Sequence, residues 1–117
     1  MTPTPTPRRT PQASRLALPV GLDDSTSWDL HGYSLTRVVR NGPYRVRVQV
    51  YRDSYVFQSY AVAEVLADNM TWTPLASEDP MTWFDSTARP SGPVHVDTEL
   101  GDIAENLVHR AAHILLR

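Results

Sequence analysis

The chain has 117 residues, 41% of them hydrophobic and 21% charged, with a formal net charge of −2. This is the make-up of one ordinary globular domain. There is no apolar run near the ~20 residues needed to cross a bilayer, and no cysteine for a disulfide, a thiolate nucleophile or a Cys-ligated zinc. The slightly acidic balance weighs against a dedicated nucleic-acid binder, whose domains are typically basic.

All eleven basic residues are arginine. Arginine gives planar, bidentate contacts to carboxylate or phosphate. Together with plentiful Ala, Val and Pro, its use in place of lysine also fits coding from a GC-rich genome, as in small accessory proteins of bacteria and phages. Residues 1–60 carry eight arginines against four acids, and residues 61–117 carry three against nine. The two halves can therefore neutralise each other on folding or orient a charged partner.

The opening "MTPTPTPRRTPQASRLALP" has no apolar periodicity. Its prolines fix φ and remove backbone donors, which predicts an extended, polyproline-like, disordered tail. The stretch after Arg8-Arg9 is too short and too broken by proline for the apolar core of an export signal. "GLDDSTS" continues as linker, so the reading is a disordered tail and linker over 1–27 and a single domain over 28–117. Removal of 1–27 is expected to leave the melting temperature almost unchanged.

From Trp28 onward the signals are β. "YSLTRVV" (33–39) and "YRVRVQVYR" (44–52) flank Asn41-Gly42, a pair suited to a two-residue type I′ turn. That turn sets Val39 opposite Tyr44 and Arg37 opposite Val46. Asp53-Ser54 suggests a second turn into "YVFQSYAVAEVLA" (55–67), with Val50 opposite Phe57, Val48 opposite Ser59 and Val46 opposite Ala61. One face then collects Leu35, Val39, Tyr44, Val46, Val48, Val50 and Phe57, with Ser59, Ala61 and Ala63 leaving room for a helix to lie close. "MTWTPLA" (70–76) reads as a further strand whose Pro74 demands an edge or a strand end.

The closing "DIAENLVHRAAHILLR" (102–117) repeats apolar residues at helical spacing through Ile103, Leu107, Ala111 and Ile114 or Leu115, widened by Ala104 and Val108. Asp102 with Glu105 fits a capping box, and Thr98 offers a start one turn earlier. "SEDPMTWFDST" suits a short helical turn whose Trp83 and Phe84 plug an end of the sheet, and "VHVD" suits a short strand. The predicted architecture is α+β: a three- or four-stranded antiparallel meander with the C-terminal helix packed on one face.

On the opposite face of that sheet the same alternation places Arg45, Arg47, Gln49, Tyr51, Gln58 and Tyr60, with Arg47 beside Tyr60 and Tyr51 beside Val56. Tyrosine and arginine combine large contact area with a polar handle and are enriched in protein interfaces. Arginine and aromatic groups on a sheet also stack on and contact single-stranded nucleic acid. A third pattern is the stripe Glu105, His109, His113 at i, i+4, i+8, which can hold a divalent metal but lacks the glutamate base of the zinc-protease motif. No phosphate loop or nucleophile elbow is present, and the three tryptophans read as core. The expectation is a cytoplasmic, non-catalytic protein without a cofactor that binds another protein through the Arg/Tyr face or a sheet edge. Single-stranded nucleic acid on that face is the alternative, and a metal site on the helix comes third.

Overall fold

Every strand of the sheet pairs with its neighbour in sequence, so the chain folds back on itself four times without a crossover. A computed structural model describes residues 19–87 and 95–116. The strands are β1 (Val20–Trp28), β2 (Gly32–Asn41), β3 (Tyr44–Asp53), β4 (Tyr60–Leu66) and β5 (Trp72–Glu78), all antiparallel. A four-residue α1 (Pro80–Trp83) follows, and α2 (Val96–Leu116) closes the fold. The α+β meander with a C-terminal helix is as expected, but the sheet has five strands.

The additional strand is β1, in residues expected to continue the linker. Its side chains are almost all exposed, so no apolar alternation announces it. Pairing with β2 holds it instead. Ser27 and Ser34 share a hydroxyl hydrogen bond of 2.7 Å, Asp24 meets Arg37 at 3.1 Å, and Trp28 stacks on buried Tyr33 at 5.7 Å. Removing residues 1–27 is therefore expected to destabilise the domain, by at least about 1 kcal/mol or some 4–8 °C in Tm. A thermal melt of the truncated chain checks this. The part of the expected tail before residue 19 lies outside the described residues.

The first hairpin bends one residue later than Asn41-Gly42, at Gly42-Pro43, which slips the pairing by two. Asn41 pairs with Tyr44, Val39 with Val46 and Leu35 with Val50, leaving Gly42 and Pro43 at the bend. Gly42 has φ of 58° and proline is held near −65°. Positive φ at the first central residue alone is the type II′ pattern, whereas type I′ needs it at both. In the expected register Pro43 would also have entered the ladder without an N–H. A slip of two preserves which face each residue takes, so the valines stay inside. Tyr44, expected in the core, is exposed at the turn.

The second connection departs further from the expected hairpin. Asp53-Ser54 is not a tight turn: residues 54–59 connect β3 to β4 through a 3₁₀ turn at Val56–Gln58. The Ser59 hydroxyl accepts from the Asp53 amide at 2.9 Å and donates to the Tyr55 carbonyl at 3.1 Å, which closes the loop on itself. Val50 consequently faces Ala61, Val48 faces Ala63 and Val46 faces Val65. Phe57, expected in the core, is exposed, and Gln58 leaves the sheet.

The helix α2 lies across the face made by Tyr33, Leu35, Val39, Val46, Val48 and Val50, contributing Val96, Leu100, Ile103, Leu107 and Val108 to the same buried cluster. Full burial of such side chains contributes about 1.5–3 kcal/mol each. Ala61 and Ala63 on β4 and Ala104 and Ala111 on α2 are buried there too, and small residues on both surfaces let the backbones approach. The "VHVD" stretch is not a strand where described: Val96 already begins α2. Polar contacts fix how α2 sits. Arg37 reaches Asp97 at 3.0 Å and Glu105 at 3.4 Å, and Arg110 reaches Glu78 at 2.8 Å. A Cβ built on Gly101, inside α2, meets nothing within 4 Å. Gly101→Ala is therefore expected to stabilise the fold by about 0.5–1 kcal/mol, readable as a shift in denaturation midpoint.

Pro74 sits on edge strand β5, as its missing donor requires, beside a bulge where the register shifts between Ala63 and Glu64. The helical turn expected over 77–87 is α1. Its cap is Asp79, whose carboxylate accepts from the Met81 amide at 3.0 Å. Pro80 takes the first helical position, where an absent N–H costs nothing.

Candidate functional site

The outward face of the sheet is built by the residues between the valines. Across it, Arg45 lies opposite Arg40, Arg47 between Val38 and Glu64, Gln49 between Thr36 and Val62, and Tyr51 between Ser34 and Tyr60. Among the described residues no helix packs on this side. Five of the six expected interface residues thus share one surface, and Gln58 is the one the structure removes.

Their partners differ from those expected. Arg47 does not lie over Tyr60. Its Nη2 meets the half-buried Glu64 carboxylate at 3.0 Å, and its guanidinium carbon lies 4.4 Å from the centroid of the Trp72 ring. The longer β3–β4 connection moves Glu64 into the place Tyr60 was expected to hold. Trp72, read as core, is instead the outward base of this stack, while Trp83 is buried and Trp28 half-buried against Tyr33. Removing Arg47 alone would leave the Glu64 carboxylate without its cation, so Arg45 and Tyr60 are the cleaner positions to alter.

Arg40 was missed by sequence reasoning. It and Arg45 stand directly opposite each other on adjacent strands, both exposed and without an ion-pair partner among the described residues. Like charges placed this way repel. The only signal for the pair was the true register, which the Gly42-Pro43 turn decides.

At the other end of the face, the Tyr51 ring lies 5.6 Å from that of Tyr60, and its hydroxyl donates to Asp53 Oδ2 at 2.5 Å. The hydrogen bond to the carboxylate, followed by burial and the carboxylate's charge, pushes Tyr51 up to about 12. The same bond, with the Tyr55 amide, holds Asp53 below its usual range. The folded chain keeps the Tyr51 proton that an unfolded chain releases near 10.0, so this contribution to stability is full below pH 10.0 and is lost as pH rises through about 12. For Asp53 the contribution is present above the ordinary carboxylate pKa and is lost as pH falls through its lowered folded value. A tyrosinate absorbance titration is expected to contain a late-ionising component that is absent in Tyr51→Phe and moved down in Asp53→Asn.

On α2, His109 Nε2 lies 3.0 Å from Glu105 Oε1, and the other oxygen of Glu105 faces Arg37. His113 is exposed on the same stripe. No group of three His, Asp or Glu side chains among the described residues is arranged to hold a metal ion. No described helix is long and apolar enough to cross a membrane. Searches for a matching family model, for a similar curated protein and for a similar solved structure found none.

Proposed function

We propose that this chain is a non-catalytic adaptor that binds another protein through the outward face of its sheet. The observation that carries the reading is that α2 covers one face only. The other face keeps exposed Tyr60, and Arg40 and Arg45 with no ion-pair partner among the described residues, beside the half-buried Val38, Val62 and Tyr51. Rigid tyrosines next to free guanidinium groups suit a partner that offers carboxylates around an apolar centre. The face is favoured over the edges because both edges are blunted: β1 by Asp23, Asp24 and a bulge, and β5 by Pro74 and a bulge.

Nucleic acid is the weaker reading. Arg47 is engaged by Glu64, and Asp53 adds a second carboxylate to the face, which opposes a continuous phosphate track. A cytoplasmic setting belongs to the proposal and rests on composition alone.

The test is capture from the native host with and without nuclease, followed by mass spectrometry. The expected result is a stoichiometric protein that survives nuclease treatment and is lost with a folded Arg45→Ser, Tyr60→Ser variant. Capture that disappears with nuclease, or that is indifferent to the variant, overturns the proposal.

A further inference from the structure

The end of the sheet where β1 turns into β2 and β3 leaves for β4 presents large apolar side chains to water. Leu30 is 85% exposed, Phe57 84%, Tyr55 73% and Met81 64%. The backbone brings these segments together. Ser54 donates to the His31 carbonyl through its amide at 3.0 Å and its hydroxyl at 3.1 Å, joining the two loops. On the other side α1 packs beside the Val56–Gln58 turn, and Val56, Met81, Phe84 and Asp85 line a shallow cavity between them.

The loop that carries the aromatic pair is built rather than slack. Asp53 accepts from the Tyr55 amide at 3.1 Å, and the Gln58 and Ser59 amides donate to the Tyr55 and Val56 carbonyls at 3.0 and 3.1 Å. Braced by these hydrogen bonds, the loop holds Tyr55 and Phe57 outward, so a partner meets them with little ordering left to do. Exposed apolar groups gathered this way mark an interaction surface.

Charge says what kind of partner. Asp29, Asp53, Asp79 and Asp85 surround these side chains, while the one arginine at this end among the described residues, Arg52, turns its guanidinium onto the carbonyls of Asp53, Phe84 and Thr87. Two copies meeting here would set carboxylates against carboxylates. We infer that this end of the sheet docks a cationic segment of another protein, one presenting apolar side chains beside arginine or lysine. The surface adjoins the Arg/Tyr face at Asp53 but its apolar side chains are other residues, which Arg45→Ser with Tyr60→Ser leaves in place, so failure of one proposal is distinguishable from failure of the other.

The test uses the full chain and short fluorescein-labelled peptides of alternating leucine and arginine, leucine and glutamate, or serine and arginine. Fluorescence anisotropy is expected to show binding of the leucine–arginine peptide, with the other two much weaker. Tyr55→Ser with Phe57→Ser should weaken it about tenfold or more, as loss of aromatic anchors does, with an unchanged circular dichroism spectrum. Asp79→Asn with Asp85→Asn should weaken it and flatten its salt dependence, asparagine keeping the α1 cap. Equal binding by the aromatic variant, or equal binding of the serine–arginine peptide, overturns the inference. So does self-association of the parent chain that Phe57→Ser abolishes, which would assign the surface to a second copy.

Discussion

Val50→Asp is expected to leave the chain unfolded at room temperature. Val50 is fully buried beneath α2, with Leu35 opposite it on β2 and Ala61 on β4. None of these can accept or donate a hydrogen bond through its side chain. A carboxylate there must stay charged without a partner or take up a proton at a cost, either way several kcal/mol. Domains of this size are stable by only about 5–15 kcal/mol. Val46→Asp should behave alike, since Val39 and Val65 flank it. Val48→Asp is a poorer probe because Arg37 lies opposite and could pair with the new charge. Arg45→Ser, at an exposed outward position, should stay within about 0.5 kcal/mol of the parent. Far-UV circular dichroism and denaturant titration separate these outcomes, and a folded, normally stable Val50→Asp would mean that the faces of β3 are reversed.

Arg52→Ala is expected to cost about 2–3 kcal/mol, by losing charge-assisted hydrogen bonds and uncovering an aromatic ring. Arg52 acts as a clamp between the end of β3 and the turn after α1. Its Nε donates to Thr87 Oγ1 at 3.1 Å, its Nη1 to the Asp53 carbonyl at 3.1 Å, and its Nη2 to the Thr87 and Phe84 carbonyls at 3.2 and 3.4 Å. The guanidinium carbon also lies 3.7 Å from the centroid of the Phe84 ring. Arg52→Lys should recover little, because an ammonium lacks both the planar fork and the flat face. Denaturant titration gives the cost, and fluorescence of the neighbouring Trp83 reports whether the turn has come loose. A lysine variant as stable as the parent would show that positive charge, not the shape of the fork, holds the turn.

The Val50 and Arg45 expectations rest on face assignments that survive errors of register. Strict alternation through 44–50 divides valines from arginines and glutamine, and a slip by any even number of residues keeps that division. The helical period of Ile103, Leu107 and Ala111 likewise assigns the inner side of α2 without knowledge of what it meets, although α2 starts earlier than expected, at Val96. Pro74 at an edge was legible for the same kind of reason: a missing N–H is a property of the residue alone.

What the residues alone could not decide was which side chains meet. Arg47 was legible as outward, yet its partners Glu64 and Trp72 follow from the six-residue loop after β3, whose Asp53–Tyr55–Ser59 hydrogen bonds outcompete a tight turn. The same loop turns Phe57 from expected core into the exposed aromatic of the sheet's end, and the Gly42-Pro43 bend sets Arg40 against Arg45. β1 was invisible because it buries little. It exists through its hydrogen bonds to β2 and through Asp24 and Trp28 reaching Arg37 and Tyr33. Inside and outside are local properties, carried by the period of a segment. Register, partnership and a strand held by its neighbour depend on residues far apart in the chain, and only the folded sheet brings those together.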